Sequence, residues 1–181
     1  MKRNTAKEIL AESFREIAEK KPVDKITVKD ITDNCGYSSA TFYRQFKDKY
    51  DLIAWDYATG LESEMSRIGS DYPWKKTLIM GAKSYDAYRD YLSNLLAHTS
   101  GHDSFVKNMT DMNFNALKKH ILASTGIDRL DHKTEMYIRI YCLGTVNLSC
   151  EWISGKFKAT PEEIAEIYEN SLPTPLAQYL L

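Results

Sequence analysis

The sequence lacks the features of secreted, membrane-spanning and disulfide-stabilised proteins. Its three cysteines, Cys35, Cys142 and Cys150, are too few and odd in number for a disulfide framework, which favours a reducing compartment. The longest uncharged apolar-rich run, residues 140–150, is far shorter than the roughly 20 residues that a membrane helix needs. No signal peptide precedes the first amphipathic segment. We therefore expect a cytoplasmic location.

Sequence motifs of common enzyme classes are missing too. There is no Gly-rich phosphate loop, no H-E-x-x-H zinc motif and no Gly-x-Ser-x-Gly nucleophile turn. His98 and His102 are four residues apart, but a Ser-Gly pair lies between them. We therefore do not expect the two histidines to share a helical face or to form a metal site. The sequence predicts a protein that is not an enzyme and holds no metal or cofactor.

What is present is helical periodicity without any alternating strand pattern, which predicts an all-α fold. No Pro-rich or Gly-rich linker interrupts the chain after residue 50. We expect a helix-turn-helix domain over residues 1–50, here called the head, coupled rigidly to a helical effector-binding and dimerisation domain over residues 51–181, here called the body. The predicted helices outside the helix-turn-helix motif cover residues 3–20, 48–69 (ending at Gly69), 74–99, 105–122, 132–156 and 161–172, with a final turn or two from residue 176.

Charge differs between these two parts although the whole chain carries only −1. The head holds eleven Lys and Arg against eight Asp and Glu, whereas the body holds thirteen against seventeen. A weakly basic head suits a surface that faces DNA, but a surplus of three charges is weak support by itself.

Residues 27–51 predict two short helices joined by a tight turn. Thr27 can cap the first helix, with Asp30 three residues later as a capping box, and Gly36 can end it in a left-handed conformation. Ser38 or Ser39 can cap the second helix, and an aspartate at position 48 can cap the next one. A helix, a Gly-containing turn of about three residues and a second helix form a helix-turn-helix.

The second helix of this motif exposes an unusual set of polar groups. Phe42 and Phe46 are four residues apart and can pack inward together. Hydroxyl, phenol, guanidinium and amide groups remain outside, and these suit phosphate oxygens and base edges. A small amphipathic helix with a solvated face is the competing interpretation. The outward set is Ser39, Thr41, Tyr43, Arg44 and Gln45.

This segment resembles the recognition region of tetracycline-repressor (TetR) type regulators over roughly residues 5–55, with Cys35 in place of a commoner Ala. The resemblance implies a homodimer that binds a pseudo-palindromic operator. It also implies base readout by Arg44 with Ser39, Ala40 and Gln45. The matching positions are Gly36, Ser38, Thr41, Phe42, Tyr43, Phe46, Lys49 and Leu52. The implied DNA-binding set comprises Thr27, Lys29, Ser38, Ser39, Ala40, Thr41, Tyr43, Arg44, Gln45 and Lys49, of which Thr27, Thr41, Tyr43 and Lys49 suit phosphate.

In the resembling family the last two long helices pair with their copies in a second subunit, here residues 132–156 and 161–172. The first of these is apolar nearly all round, which suits such pairing, although a helix covered within a monomer would look the same. Leu148 is the position where we expect an added charge to separate the subunits.

The family also holds an effector in its body, and this chain has more body aromatics than a minimal core needs. We expect a mainly apolar cavity for a small neutral molecule between the helices predicted at 74–99, 102–122 and 132–156. Simple core packing is the alternative for each residue. The expected ligand-binding residues are Tyr88, Phe105, Met109, Tyr137 and Tyr141.

The body resembles, less specifically, the subgroup that includes dihydroxyacetone-kinase operon regulators, through Tyr72-Pro73-Trp74 and a compact C-terminal half. Members of that subgroup can be activators that work with a protein partner. Three hypotheses follow: a regulator controlled by a small molecule, a regulator controlled by a protein co-regulator, and a helical ligand-binding module that no longer binds DNA.

Overall fold

A computed structural model describes residues 4–67, 73–100 and 104–181, and within these ranges the chain is helical with no strand. The predicted all-α class is therefore confirmed. The α-helices, with a short 3₁₀ turn at Val23–Lys25, are α1 Ala6–Ala18, α2 Val28–Cys35, α3 Ser39–Gln45, α4 Lys49–Met65, α5 Trp74–Ala87, α6 Arg89–His98, α7 Phe105–Thr125, α8 His132–Ile153, α9 Pro161–Asn170 and α10 Thr174–Leu180.

Helix boundaries in the head follow local capping chemistry. Thr5 and Thr27 each form a capping box with the acid three residues later, at the starts of α1 and α2. Gly36 ends α2 with φ +72°, a conformation that costs glycine little because it has no Cβ. The predicted helix-turn-helix is thus present with its predicted caps.

The prediction of one helix over residues 74–99 was wrong, because the chain breaks between α5 and α6 at Tyr88 (φ −108°, ψ 25°). The Arg89 guanidinium donates to the carbonyl oxygens of Trp152 and Ile153 at the end of α8, at 2.6 and 3.3 Å. It also lies 4.6 Å from the Trp152 ring centre. These contacts hold α6 in a direction different from that of α5. As a result α6 contacts the head, whereas α5 packs along α9.

One apolar cluster extends across the expected boundary between head and body. Head residues such as Phe14 and Phe42, both fully buried, belong to the same cluster as Leu95 of α6 and Met109 of α7. A second cluster lies between α7, α8 and α10, and a third between α5, α8 and α9. Head and body therefore share a core.

The remaining helix ends differ only slightly from the predictions. α7 runs on to Thr125, and α9 stops at Asn170. α4 is described to Met65, so its predicted end at Gly69 lies outside the described residues, as do Tyr72, Gly101 and His102. In the part of the chain that is described, no helix is long and apolar enough to cross a membrane.

Candidate DNA-binding surface and effector cavity

The second helix of the helix-turn-helix, α3, is held in place from its apolar side. Phe42 is fully buried and Phe46 is 3% exposed, with their ring centres 5.8 Å apart. Phe46 also meets the Trp55 ring of α4 edge-on at 5.6 Å. The Ser38 hydroxyl accepts from the Thr41 amide at 3.2 Å and caps the N-terminus. This packing orients the opposite face of α3 toward solvent.

That opposite face is polar and open. Ser39, Ala40 and Arg44 are exposed, and the Tyr43 side chain is 61% exposed. Arg44 makes no hydrogen bond or ion pair with any described residue, and Gln45 is half-buried. An arginine fork held on a rigid helix without an internal partner is suited to bidentate recognition of a guanine edge or a phosphate.

Four other predicted DNA-binding residues already have local partners. The Thr27 hydroxyl donates to Asp30 at 2.8 Å within the capping box. The Lys29 amine donates to Asp33 at 2.6 Å, and this bond raises the pKa of Lys29. The Ser38 and Thr41 hydroxyls lie 3.0 Å apart. These side chains all remain exposed or half-buried at the surface, so they are still accessible to a phosphate group.

Lys49 is placed differently from the expectation of a phosphate contact. Its Nζ donates to the backbone carbonyls of Val23, Asp24 and Ile26 at 2.8, 3.1 and 2.8 Å. Partial burial lowers the pKa of Lys49. The amine therefore joins the start of α4 to the loop before α2. Sequence reasoning passed over Lys47, which is exposed directly after α3 and whose amine has no partner among the described residues.

The five residues predicted to bind a ligand do not meet in one cavity. Met109 is fully buried in the cluster that head and body share. Tyr141 is also buried, donating to the Tyr168 carbonyl oxygen at 2.9 Å, and Tyr137 packs beside the second cluster. Tyr88 and Phe105 do line the main cavity. Tyr141 instead lines a smaller cavity between α5, α7 and α8, where the sequence placed the ligand site, so binding of a ligand there stays a prediction.

The main cavity, of about 350 Å³, lies between the head helix α1 and the body helices α4, α5 and α6. Glu8, Ala11 and Arg15 form its α1 wall. Its size is within the range of small-molecule sites, roughly 300–1,000 Å³. Its body walls include Trp55, Asp56, Tyr57, Glu64, Ser84, Tyr85, Tyr88, Tyr91, Leu92, Leu95 and Phe105.

Polar groups in the cavity wall are organised into two networks. Arg15 of α1 forms an ion pair and hydrogen bond with Asp56 of α4, linking head to body. The Tyr57 and Tyr85 hydroxyls are 2.7 Å apart, and Asn113 donates to Tyr57 at 2.7 Å. Burial raises the pKa of both tyrosines, so they stay neutral.

Glu64 stands apart from both networks. Burial raises the pKa of Glu64 to about 7, although Ser84 and the more distant Arg67 act in the opposite direction. Among the described residues, no cation forms an ion pair with its carboxylate. Glu64 also lines a deeper cavity of about 90 Å³ that contacts α8 and α9, so it lies between the two spaces.

A set of hydrogen bonds from α6 holds the head against the cavity. Asn94 Nδ2 donates to the carbonyl oxygens of Ala18 and Lys21 at 2.6 and 2.9 Å. Its Oδ1 accepts from the Val23 amide at 3.1 Å. Because α6 also carries Tyr91, Leu92 and Leu95, the same helix contacts both the cavity and the end of α1.

The outer side of α8 carries a stripe of exposed apolar side chains. Met136, Ile140 and Leu143 are 58%, 65% and 45% exposed and follow one another at four- and three-residue spacing. Ile167 of α9 is 45% exposed. Leu148, by contrast, packs against the third apolar cluster inside the chain.

Residues 9–54 match the family described as bacterial regulatory proteins, tetR family. The fold is similar to the dihydroxyacetone kinase operon activator DhaS, with 18% identity, 96% of each chain covered and a TM-score of 0.69. It is also similar to a TetR transcriptional regulator from Rhodococcus sp. RHA1, with 12% identity, 91% and 94% coverage and a TM-score of 0.60. It is similar as well to Thermus thermophilus FadR, a TetR family repressor in complex with lauroyl-CoA, with 17% identity, 92% of each chain covered and a TM-score of 0.60.

These comparisons confirm the resemblance to TetR-type regulators in the head and, through the overall fold, along the body. The match to the dihydroxyacetone kinase operon activator agrees with the weaker subgroup resemblance. At such identities the likeness to solved structures concerns the fold. No curated protein matches the chain in sequence at a significant level.

Proposed function

We propose that this protein is a DNA-binding transcription regulator that acts as a homodimer on a pseudo-palindromic operator. The observation that carries the proposal is the rigidly held α3, whose exposed face presents Tyr43 and Arg44 to the major groove, with Arg44 unpartnered among the described residues. Lys47, two residues beyond the end of the same helix, supplies for phosphate an exposed amine that has no partner among the described residues.

Dimer formation is supported by the stripe of Met136, Ile140 and Leu143 on α8. Exposed apolar residues in one row favour burial against another surface, and a two-fold dimer buries the same stripe from both subunits. Ile167 can extend this surface onto α9.

Control by a small molecule is supported by where the main cavity lies. A ligand there touches α1 and Arg15 of the head together with α4 and α6 of the body. It can change operator affinity only by binding better to one arrangement of these helices than to another. Because the solved relatives include both an activator and a repressor by name, the proposal covers either sign of regulation.

The experiment is footprinting of the dimer on DNA upstream of its own gene and of neighbouring genes. We expect protection of a pseudo-palindrome whose half-sites are about one helical turn, or 34–36 Å, apart. Arg44→Lys keeps the charge but loses the fork, so it should retain the salt dependence of binding and lose preference at one base position. Failure to bind any such fragment at low salt would favour a ligand-binding module without DNA binding.

A further inference from the structure

The main cavity combines an aromatic lining with an excess of acidic groups. Three carboxylates, from Glu8, Asp56 and Glu64, line it, whereas Arg15 is the one cation among the described lining residues. That arginine is already paired with Asp56. The aromatic lining residues are Trp55, Tyr57, Tyr85, Tyr88, Tyr91 and Phe105.

Glu64 is the carboxylate in this wall that is both largely buried and without an ion pair among the described residues. A buried carboxylate is costly unless it is protonated or compensated by a positive charge. Its position between the main and the deeper cavity lets one bound molecule meet it from either side.

We propose that the cavity binds a lipophilic organic cation, with its ammonium group beside Glu64 and its apolar body among the aromatic rings. This inference rests on the proposed function and names the class of effector. Ring faces attract cations, and the attraction strengthens where water is excluded. A neutral molecule would leave Glu64 uncompensated, and an anionic one would face three carboxylates with no unpaired cation in the described wall.

The deeper cavity adds an independent sign of a built site. Thr77 Oγ1 is buried in its wall without a hydrogen-bond partner among the described residues, and Trp74 Nε1 is buried there close to the Tyr141 hydroxyl without a hydrogen bond of normal geometry. Buried polar atoms of this kind are nearly always satisfied in proteins. A cation that carries an ether or carbonyl oxygen can reach past Glu64 and accept from the Thr77 hydroxyl.

The test compares three probes with the same chain and different head charge: decyltrimethylammonium, decan-1-ol and decanoate, all below micellar concentrations. Calorimetry on the full chain without DNA should give at least a tenfold tighter Kd for the ammonium probe. Equal or tighter binding of the alcohol or of decanoate would overturn the proposal.

Glu64→Gln should weaken ammonium binding at least tenfold and change alcohol binding less than threefold. Glu62→Gln is the matched control, since Glu62 lies on the same helix, is 69% exposed and faces Lys119 at 3.5 Å. An unchanged ammonium Kd in Glu64→Gln would refute the role of that carboxylate.

A second measurement uses only the native chain and does not depend on a variant folding. Since Glu64 is about half protonated near pH 7, a bound cation should expel roughly half a proton there and almost none at pH 9. The release appears as a dependence of the binding enthalpy on the buffer. No release at pH 7 would place the cation elsewhere.

Other groups around Glu64 do not account for such a release. Burial raises the pKa of Tyr57, Tyr85, Tyr141 and Tyr168, and that of the Cys142 thiol to about 12, so they keep their protons. Arg15 stays charged beside Asp56 because the pKa of Arg15 is raised. Operator footprinting, performed without any probe, separates failure of this inference from failure of the proposed function.

Discussion

Asn94 of α6 donates to the carbonyl oxygen of Ala18, at the end of α1, across 2.6 Å. The same side chain bonds Lys21 and Val23, so one residue of the body satisfies three backbone groups of the head. Since α6 also forms a wall of the main cavity, this contact links a bound ligand to the head in addition to the direct contacts of α1 with the cavity.

Replacing Asn94 with Ala should lower the free energy of unfolding by about 2–3 kcal/mol, at roughly 1 kcal/mol for each hydrogen bond removed. Decyltrimethylammonium should still bind, but its effect on operator affinity should shrink. Urea unfolding and operator titrations with and without the probe measure both. Asn115→Ala, on the exposed side of α7, is the control and should change neither quantity. A full ligand response in Asn94→Ala would show that coupling runs through α4 or through the direct contacts of α1 with the cavity.

Lys47 and Lys49 lie two residues apart and should behave oppositely when each is replaced with Ala. Loss of Lys47 should reduce the salt dependence of operator binding by about one unit, as expected for one phosphate contact. Loss of Lys49 leaves three carbonyl oxygens without their donor and should cost about 2 kcal/mol of stability while the salt dependence stays unchanged.

The measurements are operator titrations between about 50 and 200 mM salt and urea unfolding of both variants. If Lys49→Ala instead reduced the salt dependence without loss of stability, the Lys49 amine would leave the carbonyls to contact DNA. That outcome would restore the expectation drawn from the sequence.

The sequence predicted best what depends on neighbouring residues. The capping box at Thr27, the left-handed Gly36 and the inward pair Phe42 and Phe46 all involve groups within about one helical turn. These features depend on residue types at fixed short spacings, so pattern and spacing are sufficient to predict them.

Features that the sequence missed depend on distant contacts. The break before α6 follows from Arg89 reaching Trp152, more than sixty residues away, with no Pro or Gly to signal it. Lys49 is committed to carbonyls some twenty-five residues upstream. The cavity lies where the head helix α1 meets three body helices, which no single segment encodes.

The sequence also could not predict which side of α8 is exposed. Apolar residues occur all round this helix, so their pattern does not distinguish the covered side from the open one. Ile140 is 65% exposed, whereas Leu148 is packed internally. Ile140→Glu should therefore raise the dimer dissociation constant at least about 100-fold, since each of two symmetric copies would place an unpaired charge, costing roughly 1–3 kcal/mol, in an apolar contact.

Sedimentation over a range of concentrations measures this change. Ile127→Glu is the control, because Ile127 is 42% exposed in the loop between α7 and α8 rather than on the stripe. An intact dimer in Ile140→Glu would mean that the subunits meet through another surface.

Glu64 should make the native protein less stable as pH rises toward neutrality. Burial raises its pKa from 4.5 to about 7 in the folded state. Between these pH values the unfolded chain has released this proton and the folded chain has kept it, so the free energy of unfolding falls with rising pH and levels off above about pH 7. At 1.36 kcal/mol per pKa unit, the total effect is about 3 kcal/mol.

Glu64→Gln isolates this contribution, because every other titrating group is the same in both proteins. The variant should match the native chain near pH 4 and be more stable by up to about 3 kcal/mol at pH 8, where the native carboxylate is charged and uncompensated. Urea unfolding at pH 4, 6, 7 and 8 measures the difference, with Glu62→Gln expected to follow the native curve within about 0.5 kcal/mol. Saturating decyltrimethylammonium should stabilise the native chain more than the variant at pH 8. Parallel curves for the native chain and Glu64→Gln across the whole range would mean that Glu64 is solvated. The cavity would then contain no buried, unpaired carboxylate.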